Sequence, residues 1–165
     1  MTSTIQAIPV DPTPPASGEA LIFDGVAYVP TAVGGGGVGE FDSVFSDTLD
    51  IITSATPVNI AGMTITKTLA GGRPVLILFN CVVSGLTTGS PFGIMVAVDG
   101  VTVQEAQSEV PAASGTKPTA IHTLAVGLSA GSHTFTARAR RDAGSLFINP
   151  ISSAVDRTRL TVIEL

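Results

Sequence analysis

The chain has 165 residues, a formal charge of −5 and only 13% Asp, Glu, Lys and Arg, roughly half the ~25% of an average soluble domain. Mean hydropathy is +0.48, yet no apolar run reaches the ~18 residues of a membrane helix, so the chain is expected to cover apolar surface with copies of itself or a partner. The single cysteine, Cys81, excludes an internal disulfide, and a pI near 4.7 argues against nucleic acid as a partner.

MTSTIQAIPV lacks the basic n-region and apolar h-region of a secretory signal, and none is expected. Pro9, Pro12, Pro14 and Pro15 follow; they favour extended backbone and withhold helix donors. GEALIFDGVAYVP, residues 18–30, reads as a hairpin: Leu21, Ile22 and Phe23 lead into Asp24-Gly25, and Val26 to Val29, with Tyr28, lead out. Asp-Gly is a strong signal for a two-residue turn. A lone two-stranded ribbon is only marginally stable, so it must lean on something. GGGGVG, residues 34–39, is a flexible joint. Residues 1–39 are thus expected to form an attachment arm, with Pro9, Pro12, Pro14, Pro15, Leu21, Phe23, Asp24, Gly25 and Tyr28 as its candidate contacts. Seven acids and no lysine or arginine precede Lys67. That stretch reads either as a solvated acidic arm or as one that docks on a basic surface.

Residues 40–165 alternate short β-branched segments with Gly, Pro, Ser and Thr turns, the pattern of an all-β antiparallel sandwich. Strands are expected near 41–45, 49–53, 58–69, 74–84, 92–98, 101–106, 119–127, 133–141, 145–148 and 159–165. In residues 133–140, Phe135, Ala137 and Ala139 share a core face, while Thr134, Thr136, Arg138 and Arg140 share a wet one. Two strands are apolar on both faces. Val75, Ile77, Phe79, Cys81 and Val83 oppose Leu76, Leu78, Asn80 and Val82, and Ile94, Val96 and Val98 oppose Gly93, Met95 and Ala97. One face meets the opposite sheet, so Leu76, Leu78, Val82 and Met95 are candidates for a subunit interface. Arg138, Arg140, Arg157 and Arg159 are candidates for ion pairs with a neighbouring subunit.

Site chemistry finds no foothold. Cys81 lies in an apolar strand and reads as a buried structural thiol. His122 and His133 both fall in strands and read as hydrogen-bonded structural histidines. No metal-ligand spacing is present, and DSVFSDTLD lacks the oxygen spacing and turn glycine of a calcium loop, leaving Asp42, Asp47 and Asp50 as solvated loop acids. GGGGVG is followed by neither GK[ST] nor a helix, so it is no phosphate cradle. No catalytic, cofactor-binding or metal residue is assigned, and no enzyme is expected.

GGRPVLILFNCVVSG, VAVDGV, LSAGSHTFTARARR, SLFINP and RTRLTVIEL, in that order, resemble the jelly-roll modules of tailed-bacteriophage structural proteins. Those modules belong to the wider trimeric class of tumour-necrosis-factor-like and C1q-like sandwiches. The resemblance covers roughly residues 41–165, and the hairpin phrase is similar to one that recurs beside such modules. It implies a homotrimeric jelly roll on a virion, made in the host cytoplasm, with the arm bound to the major capsid protein or another scaffold protein. A capsid decoration or head-fibre role is expected because no shaft intervenes between arm and sandwich. The alternative is a tail-fibre or tail-tip module recognising host-surface polysaccharide through residues 84–91 and 109–118. Neither reading involves nucleic acid or membrane insertion.

Overall fold

The computed structural model describes residues 19–23, 28–32, 41–111, 115–149 and 157–165. The chain divides into two compact units, Met1–Val38 and Gly39–Leu165. In the first, β1 (Glu19–Phe23) and β2 (Tyr28–Ala32) pair antiparallel, with Phe23 opposite Tyr28. Four residues therefore separate the strands, where the Asp24-Gly25 reading expects two. This register sets two aromatic residues opposite each other, a cross-strand pairing that competes with turn preference. Asp24, Gly25, the four arm prolines and the glycine joint lie outside the described residues.

The second unit is an antiparallel jelly-roll sandwich. Its strands are β3 (Phe41–Ser46), β4 (Asp50–Ile52), β5 (Val58–Leu69), β6 (Val75–Gly85), β7 (Pro91–Val98), β8 (Val101–Glu109), β9 (Lys117–Ala125), β10 (Gly131–Arg141), β11 (Leu146–Ile148) and β12 (Thr158–Glu164). The smaller sheet runs β5-β10-β7-β8; the larger runs β3-β12-β6-β11-β4, with β9 on the other side of β6. Successive strands cross between the sheets, from β5 to β6, β6 to β7, β8 to β9 and β9 to β10. The inner residues of β6 (Val75, Ile77, Phe79, Cys81 and Val83) are fully buried with Ile94, Val96, Phe135, Ala137, Leu160 and Val162. Alternation along the strand produces this layer directly, since successive side chains take opposite faces.

Two polar contacts close the sandwich at its margins. Lys67 on β5 donates to Asp42 Oδ2 on β3 at 2.8 Å, and the backbone N–H of Ala61 donates to Asp50 Oδ2 on β4, also at 2.8 Å. Asp42 is thus a strand residue tying one sheet to the other, which corrects its reading as a solvated loop acid. Both outer pairings of the smaller sheet carry irregularities: β5 opposite Thr136–Arg138, where Gly62 adopts φ 74°, and β8 opposite Val96–Ala97. Bulges of this kind twist a strand and interrupt the ladder a new strand would copy.

On the larger sheet β6 changes partner along one side. β12 pairs with it over Val75–Asn80 and β11 over Val83–Gly85, leaving Cys81 and Val82 between the two; there the carbonyl of Val82 accepts from the N–H of Asn149 at 2.8 Å.

Arg141 is the largest fully buried side chain, 1% exposed. Its guanidinium donates to the carbonyls of Ala143, Ser145 and Thr87, and its own N–H donates to Ser54 O at 2.7 Å. Burial pushes its pKa down. One cation thereby fixes the loops after β6 and after β10. Gly85 leaves room for it, because a Cβ there would overlap Arg141 Nη1 and sit 2.9 Å from Ser145 O. Replacing Arg141 by Met strands three carbonyls at roughly 1–3 kcal/mol each, and the Gly85→Ala overlap costs about 2 kcal/mol. Urea unfolding of the two variants is expected to show both losses, the larger at Arg141.

Candidate functional site

The outer face of the larger sheet is built by register. Phe41, Ile163, Leu76 and Leu124 form one row across β3, β12, β6 and β9, spanning about 15 Å at ~4.8 Å per strand. The next row is Ser43, Thr161, Leu78 and His122, and the third is Phe45, Arg159, Asn80 and Ala120. Val82 lies beside Pro118, and Ser84, Phe147 and Ile51 extend the face across β11 and β4. Phe41 is 67% and Leu124 55% exposed; Phe45 and Ile51 are also exposed, while Leu76, Leu78, Val82, Ile163 and Phe147 are half-buried. Leu76, Leu78 and Val82, three of the four candidate interface residues, thus share one exposed apolar face.

Met95 does not belong with them. It lies on the smaller sheet and is 2% exposed. In register it is flanked by Arg138 and Glu105, and its methyl lies over Gly93, beside Arg140 Nε and the Glu105 carboxylate. Long polar side chains roof the second apolar face of β7 from within the chain, which corrects its assignment to a subunit contact.

The arginines divide in the same way. Arg140 pairs with Glu105 at 3.0 Å and with Asp142 at 2.7 Å. Arg138 donates to Pro57 O at 3.1 Å and Gly100 O at 3.4 Å. These bonds within the chain correct the expectation of inter-subunit pairs for both. The face of β10 expected to be wet is accordingly only part-exposed, with Thr136 buried beside them. Arg157 stacks over the Phe45 ring, 4.8 Å from its centroid, a cation–π contact that holds the guanidinium at the rim of the apolar face. Arg159 is exposed on that face.

His133 is held at both ring nitrogens, Nδ1 by Asp99 Oδ2 at 2.7 Å and Nε2 by Ser129 O at 3.1 Å. Two acceptors favour the doubly protonated ring. Asp99 opens the two-residue β7–β8 turn at φ 50°, followed by Gly100 at 82°. Its Oδ1 accepts from Thr134 N–H at 2.8 Å. The Asp99 carboxylate, helped by Ser129 O, raises the His133 pKa. The Thr134 amide first, and then His133, lower that of Asp99. His122, expected to be a structural histidine too, is exposed beside Leu78. Burial pushes the Cys81 thiol up to about 12, so it stays protonated and unreactive at neutral pH. Among the described residues no three His, Cys, Asp or Glu side chains come together to hold a metal, and no helix is long and apolar enough to cross a membrane.

No protein-family model matches the chain, and no curated protein matches it. In fold it is similar to a chain of the T13 infectious bursal disease virus particle, with 11% identity and TM-score 0.44, over 76% of this chain. It spans 35% of that viral chain. It is also similar to Eiger TNF from S. frugiperda, with 10% identity, TM-score 0.42 and 76% and 92% of the two chains covered. A third likeness is to the CBM36-1 domain of a xylanase from the hindgut metagenome of Trinervitermes trinervoides, with 14% identity, TM-score 0.39 and coverage of 76% and 97%. At these values the likenesses concern fold alone.

The His133–Asp99 pair has a pH signature. Stability from His133 is complete below its unfolded value of 6.5 and is lost as pH rises through the raised folded value. Stability from Asp99 is present above 3.8 and is lost as pH falls through its lowered value. The urea midpoint is expected to drop between about pH 5.5 and about pH 8.5. Asp99→Asn should flatten that drop, and an NMR titration of the His133 ring should place its pKa above that of His122.

Proposed function

We propose that this chain is a non-enzymatic structural protein of a virus particle, a capsid decoration or head-fibre protein of a tailed phage. It binds the capsid lattice through the N-terminal arm and displays a trimeric jelly roll. The observation that carries this reading is the outer face of the larger sheet. A row of four apolar side chains across four strands, with Phe45, Ile51 and Val82 beyond it, is more apolar surface than a monomer usually leaves in water. Few charges interrupt it, which matches the overall shortage of ionic residues. The bulged pairings at the margins of the smaller sheet disfavour edge-on addition there, so association through the larger sheet's face is the better route. Three weak arms on one trimer bind a lattice with high effective concentration.

Light scattering of the full chain is expected to give three times the 16.7 kDa of one copy. Leu76→Asp and Leu78→Asp, which place charge in the middle of the face, should return it to one copy while leaving the fold intact. A wild-type chain that stays monomeric at micromolar concentration contradicts the trimer. Deleting residues 1–37 should leave a folded sandwich that no longer co-sediments with particles. Retained co-sedimentation would move the attachment surface into the sandwich.

A further inference from the structure

The notch where β6 passes from β12 to β11 is unusual in its chemistry. Four of the five buried side-chain polar atoms without a hydrogen-bond partner among the described residues belong to residues around it: Thr119 Oγ1, Asn149 Oδ1, Arg157 Nε and Thr158 Oγ1. Thr119 is opposite Cys81, Asn149 bonds Val82, and Arg157 O accepts from Asn80 Nδ2 at 3.2 Å. Native proteins leave few such atoms unpaired, and a cluster of them calls for a reason.

A cavity of about 290 Å³ opens here, lined by Asn80, Cys81, Val82, Pro118, Thr119, Ala120 and Arg157. The register puts Asn80 beside Ala120, and Val82 beside Pro118. Three of those four flanking residues are apolar. The cation is Arg157, held by its stack on Phe45 and by its carbonyl bond from Asn80. Its buried Nε–H is unpaired, which leaves the side-on edge of the guanidinium, Nε with one Nη, open to a planar acceptor. A carboxylate matches that edge with two parallel hydrogen bonds.

We propose that this cavity binds a carboxylate group carried on a body no larger than one sugar ring or one amino-acid side chain. The apolar lining takes the body and Arg157 takes the charge. Two sources share this chemistry, an acidic sugar and an acidic side chain of a peptide. The site is independent of the self-association proposed above, because the argument for it uses only contacts within one copy.

The test is an NMR titration of the full chain with acetate, glucuronate, N-acetylglutamate and, as the neutral control, glucose. The three carboxylates should shift the amides of residues 80–82 and 118–120 and the Arg157 Nε–H signal, and glucose should not. Tighter binding of glucuronate assigns the sugar source, and tighter binding of N-acetylglutamate the peptide source. Arg157→Gln should weaken binding about tenfold or more through loss of the charge-assisted pair. Ala120→Leu, at an exposed position that leaves every charge in place, should block the cavity and bring a comparable loss. No shift with any carboxylate, equal shifts with glucose, or unchanged binding in either folded variant overturns the proposal.

Discussion

The sandwich depends on one strand with two environments. β6 points Val75, Ile77, Phe79, Cys81 and Val83 into the core, where none is more than marginally exposed, and it is hydrogen-bonded to β9 on one side and to β12 and β11 on the other. Burying five such side chains, at roughly 1.5–3 kcal/mol each for the larger ones, anchors the larger sheet to the smaller. The same period-two geometry turns Leu76, Leu78 and Val82 outward. The apolar face is therefore an inseparable companion of the core strand: a one-residue slip would exchange the two sets and destroy both.

The two sheets solve the exterior problem differently. On the smaller sheet, Arg138, Arg140 and Glu105 lay long side chains over Met95 and Gly93, and their charges meet one another or backbone carbonyls. On the larger sheet the corresponding places hold Thr161, Ile163, His122 and Leu124, which are too short or too apolar to make such a roof. This contrast locates the incomplete surface of the molecule on one side of the sandwich.

Much of this was legible from residue order. β5 spans the expected 58–69, and β6 and β10 lie within two residues of the alternations that define them. The Asp99-Gly100 turn follows from its dipeptide, since both positions need positive φ. What stayed hidden depends on neighbours that are distant in sequence. The patterns of β6 and β7 look alike, yet only β7 is covered, because the side chains over Met95 come from β8 and β10. The roles of Asp42 and Lys67, 25 positions apart, and the exchange of partners at Cys81–Val82 likewise arise only when strands meet. No local signal marks Arg157 as different from the other arginines; its distinction is a missing partner.

The carbonyl cage around Arg141 has an evolutionary corollary. Its acceptors are main-chain oxygens of Thr87, Ala143 and Ser145, so the cation grips the path of these loops and is indifferent to most of the letters written on them. One end of the jelly roll can therefore drift in outward appearance while its frame stays put. A displayed protein under pressure to change what it shows has there a region that is free to vary, provided Arg141 and Gly85 remain.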